Sequence, residues 1–116
     1  MAIAAAAVNT FRTVTKVVGI TTQLVYEAPV GFVGVCLLAQ CANTGSNTQT
    51  ISWNHNRIVG VSTVVTEIVK NFPVPANDTA NLITGRLVLE TGDYITISGS
   101  SSTDLKFLIS ILETSS

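Results

Sequence analysis

The closing stretch of the chain, residues 86–113, most constrains the fold. It alternates short apolar runs with two turns, at residues 90–93 and 99–104. In the first turn, Gly92 can take the positive φ that other residues avoid. The last run, residues 105–112, is apolar on both faces of a strand. Such a strand needs cover on both sides, so the pattern predicts one face in the domain core and the other against a second copy of the chain.

Runs suited to strands recur through the rest of the chain, separated by turn residues. They span residues 11–18, 21–26, 32–42, 48–56 and 63–72. The run over 32–42 could also be a buried helix, but its β-branched content, its flanking turns and the lack of a helix cap favour a strand. Pro73 and Pro75 lack amide donors, so residues 73–78 are predicted to be a loop crossing between sheets. About eight strands and no convincing helix predict an all-β, two-sheet, jelly-roll-like β-sandwich.

The length of 116 residues fits one domain. Residues 1–10 are predicted to be a short extended N-terminal arm, and residues 11–116 the sandwich domain. The arm is apolar but shorter than the roughly 20 residues that cross a membrane, and it lacks the basic start of a secretory signal. We therefore predict no membrane partner. An exposed apolar arm would promote aggregation. We therefore predict that the arm becomes ordered on a neighbouring subunit.

Charged residues make up only 11% of the chain, against a usual share of roughly 25%. The formal net charge is −1 and the six Lys and Arg residues are scattered, so no basic patch indicates nucleic-acid binding. Few charges also remove the repulsion that keeps small domains monomeric. The composition therefore predicts a homo-oligomer, whose interface we expect to use apolar surface from residues 32–41 or 105–112.

The sequence predicts no catalytic residue, no cofactor site and no metal site, and hence no enzyme. His55 is the only histidine, so it has no partner for a zinc site, and it is the only imidazole that could act as the base of a hydrolytic site. Asp78, Asp93 and Asp104 each fall in a predicted turn, where aspartates usually bond their own backbone. A calcium site, which needs oxygens converging from several loops, is the alternative for these three.

Cys36 and Cys41 lie five residues apart in one predicted strand, a spacing that sends their side chains to opposite faces. Their Cα atoms would be roughly 16 Å apart at about 3.3 Å per residue, beyond the roughly 7 Å that a disulfide allows. Two free thiols are predicted, which suits synthesis in a reducing cytoplasm. Trp53 with Tyr26 and Tyr94 could form a sugar platform, but the position of Trp53 in an alternating strand favours the core.

Five turn and strand signatures follow one another along the chain. They are VYEAPVG at residues 25–31, an apolar strand ending at Ala42-Asn43, VKNFPVP at 69–75, LVLETGD at 87–93 and SILE at 110–113. This order resembles small virion structural proteins of tailed bacteriophages, namely capsid cement or decoration proteins and tail or neck accessory proteins. One departure is Pro29-Val30-Gly31, where the family's turn usually has Pro-Ala-Gly.

The resemblance implies a β-sandwich or jelly-roll module without catalytic residues that assembles as an oligomer, most often a trimer. It implies a place in the virion after synthesis in the host cytoplasm, with the major capsid protein or other virion proteins as partners. The predicted function is that of a capsid cement or decoration protein that stabilises the shell through subunit contacts. The alternative is a tail, neck or fibre accessory module that binds another virion protein or a host surface glycan.

Overall fold

A computed structural model describes residues 9–115, which form nine β-strands in two antiparallel sheets. The strands are β1 Asn9–Val17, β2 Gln23–Glu27, β3 Phe32–Asn43, β4 Gln49–Val59, β5 Ser62–Val74, β6 Asp78–Asn81, β7 Leu87–Leu89, β8 Tyr94–Gly99 and β9 Leu105–Ser115. Within this part of the chain, no helix is long and apolar enough to cross a membrane.

Sheet A has the order β1-β9-β3-β6, with β7 also paired to β3, and sheet B has the order β2-β8-β4-β5. Most neighbours within a sheet come from distant parts of the sequence, as expected for a jelly-roll-like sandwich. The predicted all-β, two-sheet fold is therefore confirmed.

The segment over residues 73–78 differs from its prediction as a loop. β5 continues through Pro73 to Val74, and β6 begins at Asp78. Proline is tolerated here because β5 is the edge strand of sheet B, so the missing amide faces no neighbouring strand. The segment does cross between the sheets, as predicted, since β5 belongs to sheet B and β6 to sheet A.

The core lies between the inner faces of the two sheets, around Trp53 of β4 and Phe107 of β9. Their ring centroids are 6.1 Å apart, and Trp53 Nε1 donates a hydrogen bond of 3.1 Å to the Leu82 carbonyl. Both side chains are buried, so the core position predicted for Trp53 is confirmed. The other large buried side chains are aliphatic: Ile51, Leu89, Ile95, Ile97, Leu105, Ile109 and Ile111.

β9 has the two faces that its sequence predicts. Alternate residues from Leu105 to Glu113 are buried, whereas Leu108 and Leu112 lie on the opposite, outer face and are half-buried. The outer face of this central strand is thus apolar at two positions without belonging to the core.

The prediction that Cys36 and Cys41 lie on opposite faces is wrong. A register shift between Cys36 and Leu38 adds one residue to β3 against β9. Cys36 pairs with Ile111 and Cys41 with Phe107, and both thiols are fully buried. The physical reason is a β-bulge. The two cysteines are five residues apart, which in a regular strand would point them to opposite faces, but the one unpaired residue of the bulge turns Cys41 back to the face of Cys36.

β1 begins at Asn9, so residues 1–8 of the predicted arm lie outside the described residues. Asn9 pairs with Thr114 and Thr10 with Glu113, which places the last two positions of the predicted arm in sheet A. The arm itself, and the division of the chain at residue 10, stay predictions.

Truncating the core aromatic should destabilise the subunit far more than truncating an exposed one. We expect Phe107→Ala to lower the free energy of unfolding by about 3–5 kcal/mol, because it leaves a cavity beside Trp53. Phe11→Ala is the matched control, since Phe11 is 75% exposed, and its cost should stay within about 0.5 kcal/mol. Urea unfolding at low protein concentration measures both, and equal costs would contradict this description of the core.

Candidate functional site

The turn between β7 and β8 carries a buried carboxylate with four donors. Asp93 accepts two hydrogen bonds from Arg57, of 2.9 Å from Nε and 2.7 Å from Nη2, and one of 2.9 Å from His55 Nε2. The backbone amide of Glu90 donates a fourth, also of 2.9 Å. Gly92, at φ 88°, allows the tight turn that folds the carboxylate back onto that amide. The cluster therefore ties strand β4 to the β7–β8 turn.

These contacts determine the ionisation of Asp93. Burial alone would raise the pKa of the carboxyl, but the hydrogen bonds from Arg57 and His55 outweigh it and lower the pKa to about 2. The same ion pair raises the pKa of Arg57. Since four donors occupy the lone pairs of the carboxylate, Asp93 acts as an anchor between strands rather than as a proton acceptor.

A second buried carboxylate joins the two sheets at the same end of the sandwich. Glu113 of β9 accepts a hydrogen bond of 2.5 Å from the Tyr26 hydroxyl of β2 and one of 2.9 Å from Arg12 Nε of β1. Burial and the hydrogen bond to Glu113 both raise the pKa of Tyr26. The pair holds sheet A to sheet B by a charge-assisted contact.

Of the residues with possible chemistry that the sequence singles out, His55 and Asp93 are brought together, whereas Asp78 and Asp104 lie apart from them. Asp78, the first residue of β6, accepts from the Thr79 amide, 2.8 Å away, and Asp104 accepts from the Thr103 hydroxyl, 3.1 Å away, so each of these two bonds an adjacent residue. Among residues 9–115, no group of three His, Cys, Asp or Glu side chains could hold a metal ion. His55 lies in β4, and its Nε2 is hydrogen-bonded to Asp93.

The two cysteines, Trp53 and Tyr26 are not available at the surface. Cys36 and Cys41 are free thiols, and burial raises the pKa of each to about 11, which leaves little reactive thiolate at neutral pH. Trp53 and Tyr26 are buried. The sugar platform considered for Trp53, Tyr26 and Tyr94 is therefore absent.

The outer face of sheet A carries an apolar row that crosses four strands. Strand registers align Phe11 with Leu112, Leu112 with Val35, and Val35 with Val88. Phe11 is 75% exposed and Val88 53% exposed, while Leu112 and Val35 are half-buried between them. We call these four side chains the apolar row. An outward sheet face normally carries polar residues, so the row resembles an interface more than a solvated surface.

A groove lies on the same face of sheet A, toward the beginning of β9. It has a volume of about 420 Å³, within the roughly 300–1,000 Å³ of typical ligand pockets. Nine residues line it: Thr15, Lys16, Val17, Gln40, Ala42, Thr79, Lys106, Phe107 and Leu108. The groove is therefore continuous with the outer face on which the sequence predicts an interface.

The β4–β5 hairpin extends beyond the rest of sheet B. β4 pairs with β8 only as far as Asn56, opposite Tyr94, whereas its pairing with β5 continues to Val59 and Ser62. Gly60, at φ 64°, opens the two-residue turn. We call residues 57–65 the hairpin tip. For residues 56–62 the sequence indicates little beyond a bend at Gly60. The available signal was the β-branched pattern on both sides of a Gly-X turn, which is typical of a hairpin.

The Asp93 cluster predicts a specific loss of stability in acid. The pKa of Asp93 is about 2 in the folded protein, against roughly 3.9 for an unfolded aspartate. Its contribution to stability should therefore be present above about pH 4 and be lost as the pH falls toward about 2. We expect Asp93→Asn to be less stable at pH 7 and to show a flatter pH dependence in that window. Asp78→Asn is the control, and urea unfolding at several pH values measures the effect. Equal slopes for Asp93→Asn and the wild type would contradict the prediction.

Comparisons with known proteins bear on the fold. The chain matches no protein-family model and no curated protein sequence. A solved structure from Bacillus endospore appendages, described as a novel family of disulfide-linked pili, matches over 100% of this chain and 98% of that chain. The TM-score is 0.50 and the sequence identity 18%. At this identity, the likeness shows that the two chains share a fold.

Proposed function

We propose that this chain is a non-enzymatic structural subunit that assembles with further copies of itself. The observation that carries the proposal is the apolar row, which places apolar side chains on the solvent side of four neighbouring strands. Burial of apolar surface contributes roughly 25 cal/mol per Å². A second copy seated on the row would remove its two exposed members, Phe11 and Val88, from water.

The low charge of the chain supports the same proposal. The four side chains of the apolar row are uncharged, Arg12 of β1 is paired with Glu113, and Lys16 and Lys106 line the groove instead of the row. Little electrostatic repulsion therefore opposes the approach of two identical faces. The chain would bring to an assembly a rigid sandwich and an uncharged contact surface.

The fold shared with a pilus protein of Bacillus endospores supports a role in a repeating assembly. Those pili are disulfide-linked, whereas Cys36 and Cys41 are fully buried in this chain. A disulfide between copies would require the sandwich core to open. We therefore propose that copies of this chain are held by apolar and polar contacts and not by bonds between these two cysteines.

Two finer roles fit such a subunit. The resemblance over residues 25–113 supports a capsid cement or decoration protein in a phage particle, with a trimer and the major capsid protein as its contacts. The shared fold supports instead a subunit of an external appendage built from many copies. Electron microscopy separates them, since a cement protein alone forms small closed oligomers and an appendage subunit forms fibres.

Self-association is tested with a charge in the apolar row. We expect the wild-type chain to sediment as multimers whose mass rises with concentration. Val88→Lys should weaken this association at least tenfold, because the lysine would be buried at the contact, while the urea midpoint of the isolated subunit is unchanged. Val30→Lys is the matched control, since Val30 is exposed in the β2–β3 turn and is not a member of the row.

A wild-type chain that stays monomeric at high concentration would contradict the proposal of self-assembly. If Val88→Lys and Val30→Lys both associate like the wild type, the apolar row is not the contact.

A further inference from the structure

We propose that two copies of the chain pair face to face through the outer faces of sheet A, with the apolar row of each copy seated in the groove of the other. This inference rests on the proposed self-assembly. It adds what covers the apolar row, how the two copies are oriented, and where the exposed ring of Phe11 goes.

The groove is a hollow on the same outer face that carries the apolar row. Because side chains alternate along β1, Phe11, Thr15 and Val17 all point to this face. The strand registers build the groove from two cross-strand rows: Thr15 with Leu108 and Gln40, and Val17 with Lys106, Ala42 and Thr79. The short side chains of Ala42 and the threonines leave the hollow of about 420 Å³. One face therefore holds both a raised apolar row and a hollow.

Phe11 is the most prominent member of the raised row. It is 75% exposed, so its own subunit gives its ring little cover. The groove begins at Thr15 and extends to Val17, which is roughly 13–20 Å from Phe11 along β1 at about 3.3 Å per residue. A ring at that distance on the same strand cannot enter its own groove. Since aromatic anchors that fill a pocket of another subunit contribute most of the energy of many interfaces, a second copy is the source of the ring that fits here.

Two orientations can place one outer face on another. With the two-fold axis along the strands, row meets row and the two hollows face each other unfilled. With the axis across the strands, crossing β1 near Thr13, each row meets the groove of the other copy. Val35 then faces Ala42, and Val88 faces Thr79, so that larger side chains lie over short ones. Atoms that line an unfilled hollow lose their packing contacts, so shape favours the second orientation.

The lysines of the groove favour the same orientation. Lys16 and Lys106 line the groove, and neither has an acidic partner within residues 9–115. Row against row would bring the lysines of both copies together at one end of the contact, where like charges repel. Row in groove separates them by six or more residues of strand, roughly 20 Å, which exceeds the Debye length of about 8 Å at physiological salt.

Lys106 does not obstruct the seat of the row. Its Nζ donates a hydrogen bond of 2.7 Å to the Thr103 carbonyl, in the loop before β9. The ammonium is thus held at the end of the sheet, and the aliphatic part of the side chain is left to cover apolar surface of the other copy.

The contact covers the large apolar side chains that the strands of sheet A leave exposed. These are Phe11, Val17 and Val88, at 75%, 50% and 53% exposure. Each copy gives one row and receives one, so the interface is isologous and closes at a pair. Larger assemblies would grow from such pairs through other surfaces.

Exchanging the sizes of two facing residues tests the fit. We expect Phe11→Ala and Val17→Trp each to weaken association by about tenfold or more, because the first removes the anchor and the second fills the groove. The double variant should regain most of the association, since the indole at position 17 occupies the space that the other copy's ring has left. Val30→Trp is the matched control at an exposed turn position. Sedimentation over a range of concentrations measures all four.

A photocrosslink from position 11 identifies the neighbouring residues and does not depend on the tryptophan variants. Phe11 is replaced by p-benzoylphenylalanine, which keeps an aromatic ring at this position. Isotope-labelled and unlabelled chains are mixed, so that mass spectrometry separates bonds between copies from bonds within one copy. We expect adducts between copies on Thr15, Val17 or Leu108.

The other outcomes overturn the inference. Adducts between copies on Val88 would show that row meets row, and adducts confined to the hairpin tip or to residues 1–8 would show a different neighbour. A double variant that associates no better than either single variant would show that positions 11 and 17 do not face each other. In each of these cases the proposed self-assembly stands. A wild-type chain that never associates refutes the proposed function itself.

Discussion

The pairing of β3 with β9 is the constraint on which the rest of the structure depends. These central strands of sheet A pair at eleven positions, from Phe32 opposite Ser115 to Asn43 opposite Leu105. A slip of one residue would turn every side chain to the wrong face. The bulge before Leu38 prevents this, because it lets Cys36 and Cys41 both face the core. With the register set, the inner face fills the sandwich and the outer face is left apolar.

Charged residues, few as they are, have structural roles at one end of the sandwich. Asp93 and Glu113 are both buried, and each is matched by an arginine. A buried carboxylate is costly unless paired, so these contacts specify one arrangement of the strands around them. Asp93 orients the base of the hairpin tip, and Glu113 joins the sheets beside it. The few charges of the chain thus fix how strands meet at this end of the sandwich.

A pilus protein of Bacillus endospore appendages shares this fold at 18% sequence identity. Function resides in the surfaces that a fold presents, not in the fold itself. In this chain, three surfaces remain open to solvent without a partner in the described subunit. They are the apolar row, the groove and the hairpin tip. The two thiols lie in the core, where they act as small apolar groups. A repeating assembly of this chain would therefore depend on shape and apolar contact.

The sequence by itself determined the all-β class, the core position of Trp53 and the two faces of β9, because strand alternation and turn residues are local properties. It also indicated the apolar outer face through Leu108 and Leu112. Only the tertiary structure decided the faces of Cys36 and Cys41 and the convergence of Arg57 and His55 on Asp93. The physical reason is that a bulge arises from pairing with a distant strand, and these side chains meet only after strands far apart in sequence have aligned.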